Sequence, residues 1–233
     1  MKKHLSVLML FVRSTLYKFL IIIVAMAAVE TIFFTLAYQN TQGLFMLDTI
    51  LSACHLEIIW GVCFMLLCAL LCLTGNELGS SYTLMRLRIS QRAIFIWQSV
   101  HSAGLLFLFW AAQIGLAFGF CSLYTSRYPQ PQGAMLVFYQ NHFLHNLFPQ
   151  ADWSRHICNI SILLSLAVTI GCFPVQMRRG KRLALLVIPL CLQVYTQDMW
   201  TFGLNLSYSA AIMLIALTAV WGIWREDYYE EVS

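Results

Sequence analysis

The run from residue 93 to residue 126 constrains this chain most, because it contains no Asp, Glu, Lys or Arg. A soluble domain must place charge on its surface every turn or two, whereas a helix crossing a bilayer needs about 20 consecutive, mostly apolar residues. Five further stretches meet that requirement: 19–38, 55–74, 157–177, 183–200 and 206–224. With 93–124 as the third, they predict six transmembrane helices. Composition agrees, since 60% of residues are hydrophobic, only 10% are charged and mean hydropathy is +0.74. Soluble domains carry roughly 25% charged residues, so a soluble globular fold is excluded. The expected fold is an all-α polytopic membrane protein, a single transmembrane domain over residues 1–233. A short turn over 201–205 would join the last two spans as a helical hairpin.

Basic residues orient the bundle. Placing both termini in the cytoplasm puts Lys2, Lys3, Arg13, Lys18, Arg86, Arg88, Arg92, Arg178, Arg179, Lys181, Arg182 and Arg225 inside. Only Arg127 and Arg155 then lie outside. Short loops rich in Lys and Arg resist translocation, so an N-in, C-in arrangement follows. The first eighteen residues repeat apolar positions at helical spacing (Leu5, Leu8, Met9, Val12, Leu16) beside Lys2, Lys3, Arg13 and Lys18. That pattern predicts an amphipathic helix on the inner leaflet; a plain cytoplasmic extension of the first span fits the same periodicity. A cleaved secretory signal fits poorly, because Arg13 and Lys18 interrupt its would-be apolar core.

The eight cysteines include no C-x-x-C pair, and most fall inside spans, which points to packing rather than to a disulfide or zinc framework. The outer loop, 125–156, is broken by Pro129, Pro131 and Pro149. Between the breaks Met135, Leu136, Phe138, Phe143, Leu144, Leu147 and Phe148 are too apolar for a free loop, which predicts one or two short helices at, or dipping into, the outer leaflet. His142, His145, His156 and Asp152 are metal-ligand types. Aromatic-belt and capping roles fit them better than a metal site, since no recognisable ligand motif is present. Asn159 and Asn205 open glycosylation sequons at membrane edges, which we read as chance matches.

Within the spans, Glu30 is the exceptional residue. A carboxylate at membrane depth needs a partner or a water-filled cavity and marks a functional site by default. Gln98, His101 and Gln113 add polar positions in the third span, so Glu30, Gln98, His101 and Gln113 are the candidate substrate-pathway residues. A structural hydrogen bond to a neighbouring helix accounts for Glu30 equally well. Glu57 and Asp198 lie near outer span ends, where solvation or capping explains them.

The cytoplasmic loop 75–92 carries Glu77, Gly79, Ser80-Ser81, Thr83-Leu84, Leu87, Ile89-Ser90 and Arg92 ahead of an apolar span. This order resembles the cytoplasmic loop of type-2 ABC transporter permeases, roughly E-x-x-x-G-[ST]-x-x-x-L-x-x-L-P-[IV]-S-R. The chain departs from it with Arg88 in place of proline, Gln91 before the arginine, and a shorter spacing between Glu77 and Gly79. The layout of six spans, cytoplasmic termini and an amphipathic leading segment is also similar. The resemblance implies that Glu77, Tyr82, Leu84, Met85, Leu87, Arg88 and Ile89 form a short coupling helix that docks on a separate ATP-binding subunit. It implies a second permease subunit, the same or related, in a bacterial plasma membrane. Export of a hydrophobic, amphipathic or peptide-like substrate would follow, as in peptide-antibiotic immunity.

The sequence contains no G-x-x-x-x-G-K-[ST], so ATP and magnesium would belong to the partner subunit, with no cofactor in this chain. No G-x-S-x-G, H-E-x-x-H or paired-glutamate motif is present either, so no catalytic residue is assigned and an intramembrane enzyme is disfavoured. Nothing points to nucleic acid. A non-transporting membrane interaction or assembly protein remains the alternative.

Overall fold

The computed structural model of the chain describes residues 2–41, 47–79, 90–127, 138–149, 153–178, 187–188, 191 and 202–232. All regular structure among them is helical: α1 (Lys2–Thr41), α2 (Leu47–Ala53), α3 (Leu56–Gly79), α4 (Gln91–Arg127), α5 (His142–Leu147), α6 (Trp153–Arg178) and α7 (Phe202–Val232). Five helices are long and apolar enough to cross a membrane, over Ser6–Gln39, Leu56–Glu77, Arg92–Ser126, Trp153–Met177 and Phe202–Gly222. Of the expected span 183–200, only Val187, Ile188 and Cys191 are described; all three are helical and buried.

Local chemistry sets the helix ends. Ser90 caps α4, its carbonyl and hydroxyl both accepting from the Ala93 amide at 3.0 and 3.4 Å. Asn141 caps α5 by accepting from the Leu144 amide at 3.2 Å, and Pro149 follows the helix end.

Two sequence expectations change. No separate interfacial helix precedes the first span: α1 is continuous, because residues 2–41 contain neither Gly nor Pro to break it. Forty residues at 1.5 Å each reach about 60 Å, twice the hydrocarbon thickness, so α1 projects beyond the bilayer. Its first turns pack Val7 and Phe11 against Ile94 and Trp97 of α4. Nor is 201–205 a turn throughout, since α7 begins at Phe202 and Asn205 is helical and buried. Its side chain bonds to the start of α6, which keeps that turn in the bundle.

Inter-helix contacts fix the helix directions. Trp60 and Phe64 of α3 meet Phe109 of α4, while Gly75 meets Gln98, so α3 and α4 are antiparallel. Thr15 meets His101 and Phe34 meets Phe120, so α1 and α4 are parallel. Arg155 meets Asn205 at one end, and Cys172 clusters with Phe95 and Ala219 at the other, so α6 and α7 are parallel. We call the end where α1 and α4 begin proximal and the opposite end distal. Central in this bundle is α6, with 78% of its spanning window buried against 22% for α1 and 28% for α7. It packs on α3, α4 and α7.

The described part of the distal loop packs on α4. Trp110 Nε1 donates to the Leu147 carbonyl at 3.2 Å, and Phe118 stacks on Phe138 at 4.4 Å between centroids. Trp110 lies roughly 25 Å short of the α4 terminus at 1.5 Å per residue. Residues 138–148 are therefore folded against the side of α4, with Phe138, Phe143, Leu144 and Leu147 buried in the core.

Candidate functional site

Glu30 and Gln113 come together. Both are fully buried, on α1 and α4, and their side chains face each other. Their side-chain oxygens and the Gln113 amide nitrogen have no hydrogen-bond partner of good geometry among the described residues. Cys54, just after α2, and Cys63 of α3 lie within electrostatic reach of the Glu30 carboxyl. Burial pushes the Cys54 thiol up to about 11, with Glu30 adding to the effect. Glu30 is thus enclosed by three helices near the distal start of α3. An incompletely satisfied carboxyl–amide pair in an apolar core is costly and uncommon, and such groups mark sites where a bound group or a second conformation completes the set.

Gln98 and His101 do different things. The i−4 carbonyl in front of Pro174 in α6 is that of Ile170, which proline cannot satisfy because it lacks an N–H. Gln98 Nε2 donates to that carbonyl at 3.4 Å from the neighbouring helix. His101 Nε2 lies 2.7 Å from Thr15 Oγ1, whose hydroxyl also donates to the Phe11 carbonyl at 2.8 Å. With the hydroxyl proton committed there, the Thr15 oxygen accepts from an Nε2–H. Phe11 stacks on the His101 ring at 6.1 Å. Both residues are inter-helix contacts at the proximal end, away from the Glu30–Gln113 pair.

Of the expected docking residues, Tyr82, Leu84, Met85, Leu87, Arg88 and Ile89 lie outside the described residues. Glu77 is exposed in the last turn of α3. The flanks of that segment are both proximal, where Gly75 of α3 packs on Gln98 of α4.

A second polar group, with no local signature in the sequence, lies at the distal end. Arg155 is 3% exposed and donates through Nη1 to Asn205 Oδ1 at 3.2 Å, while Asn205 Nδ2 donates to Ser154 Oγ at 3.2 Å. Asn159 donates to the carbonyls of Asn146 and Leu147 at 2.9 and 3.4 Å, tying α6 to α5. Asn159 and Asn205 are each 1% exposed, which places both sequon asparagines out of reach of glycosylation. The distal histidines are spread among separate contacts: His142 on Asn146, His145 on the Tyr139 ring, His156 between Phe148 and Trp153. Among the described residues no three His, Cys, Asp or Glu side chains converge as metal ligands, and Asp152 lies outside them. The eight cysteines are free thiols in buried or half-buried positions.

Compared with protein families, curated proteins and solved structures, the chain matches none.

Proposed function

We propose that this chain is the membrane-spanning permease subunit of an ATP-driven transporter, exporting a hydrophobic, amphipathic or peptide-like substrate while a separate subunit hydrolyses ATP. One observation carries the reading. The two flanks of the Glu77–Arg92 motif meet at the proximal end, where α1 starts and where the described basic residues Arg13, Arg92 and Arg178 are found. That is where a cytoplasmic ATPase would have to dock if the basic end faces the cytoplasm. A short apolar segment seated in a partner's groove transmits motion in either direction.

A sixth crossing is supported by direction. Both α6 and α7 run distal to proximal, and a crossing by the chain between Arg178 and Phe202 would account for that shared direction. Its length, about that of one span, suits a single crossing. With six crossings both termini share the basic side, in keeping with a bacterial plasma membrane and N-in, C-in topology. A second permease copy, identical or related, would complete the transporter. Under this reading Glu30 and Gln113 belong to the substrate pathway, closed in the conformation described.

Replacing Leu84 and Leu87 with Asp tests the docking assignment. The variant should reach the membrane intact yet lose its ATP-binding partner on affinity purification. Retention of the partner at wild-type levels would assign docking elsewhere. A chain that never captures an ATPase would favour the accessory or assembly protein.

A further inference from the structure

The distal end holds a cleft of about 250 Å³ between the α2–α3 corner and the start of α5. We propose that this cleft binds a primary ammonium group carried on a short apolar stem, such as a lysine side chain of a peptide, with Glu57 taking the ammonium.

Its lining divides by chemistry. Leu51, Leu56 and Phe143 make a floor that is almost wholly buried. Glu57, His55 and His142 stand at the rim. Glu57 is the formal charge among them, and among the described residues no Lys or Arg lines the cleft. An anionic ligand would therefore meet a carboxylate without a compensating cation. A cation gains a charge-assisted contact. His142 is held at the rim by its contact with Asn146, Nε2 to Nδ2 at 2.8 Å. His55 adopts a left-handed φ of 49°, which an ordinary side chain reaches only when its surroundings impose it; such residues collect at binding sites. The volume is below that of a drug-sized pocket and suits one side-chain-sized group.

The test uses the full chain in phosphatidylcholine nanodiscs, titrated with n-butylammonium, n-butanol and butyrate and followed by saturation-transfer NMR. Butylammonium should bind saturably and roughly tenfold more tightly than butanol, with butyrate weakest. Glu57→Gln, an exposed substitution, should erase the preference for the amine, and Phe143→Ala should weaken amine and alcohol alike. Equal binding of amine and alcohol, or an unchanged preference in Glu57→Gln, would overturn the assignment. So would stoichiometric displacement of butylammonium by Zn²⁺ that depends on His55 and His142, which would make the cleft a metal site. Binding is read on this chain without an ATPase, so its failure and failure of the transporter reading are separate results.

Discussion

The side-chain amide of Gln98 fills the place of a missing backbone donor, reaching the Ile170 carbonyl that Pro174 cannot satisfy. Re-satisfaction from a neighbouring helix is what lets a proline persist in a spanning segment. Gln98→Leu should therefore cost about 1 kcal/mol of stability in detergent. In a Pro174→Ala background, where residue 174 recovers its own N–H, the same substitution should cost almost nothing. A double-mutant cycle on thermal unfolding reads the coupling directly, and additive costs would break the link between the two residues.

Gly171 lets α4 approach α6. A methyl there would run into Ser99 Oγ and come within 3.2 Å of Ser99 Cβ and 3.3 Å of Phe95 Cε2. Gly171→Ala is expected to destabilise by about 1–3 kcal/mol through overpacking. Ser99 Oγ has no hydrogen-bond partner among the described residues, so Ser99→Ala alone should be close to neutral and should recover part of the loss in the double variant. Melting temperatures of the three variants check the order.

Asn205 joins Arg155 to Ser154 across α6 and α7. Asn205→Leu strips both contacts and leaves a buried guanidinium short of an acceptor, a loss of about 2 kcal/mol. Asn205→Asp keeps an acceptor for Arg155 and should lose less. Equal losses in unfolding assays would show that Asn205 acts by shape alone.

How far this architecture could be read from the chain depends on what each feature rests on. The uncharged stretch at 93–126 needs only composition, and α4 covers it from Gln91 to Arg127. The division of α1 into an interfacial and a spanning helix failed because amphipathic spacing cannot distinguish a helix lying on a membrane from one leaving it. The absence of Gly and Pro was the better guide. Glu30 stood out as a lone acid in an apolar run, but its facing Gln113 depends on the packing of α1 on α4. The Thr15–His101 bond spans 86 residues of sequence and leaves no local trace. Arg155 read as an ordinary outside charge because burial at the end of α6 is decided by Asn205, a residue that sequence reasoning placed in a turn.

For the Glu30–Gln113 pair, Glu30→Gln keeps size and hydrogen-bonding capacity while removing the ionisable group. It should assemble normally and change transport, measured as substrate efflux from vesicles. Wild-type efflux in this variant would reduce Glu30 to a structural contact.

Under the transporter reading, this bundle works with a separate ATPase. The direct measurement is affinity purification of the tagged chain from its native membranes, followed by ATP hydrolysis assays on the eluate. A permease should bring down an ATP-binding subunit and hydrolyse ATP, with activity lost when Leu84 and Leu87 are both changed to Asp. An intact, folded chain recovered without nucleotide-binding protein or ATPase activity would contradict it.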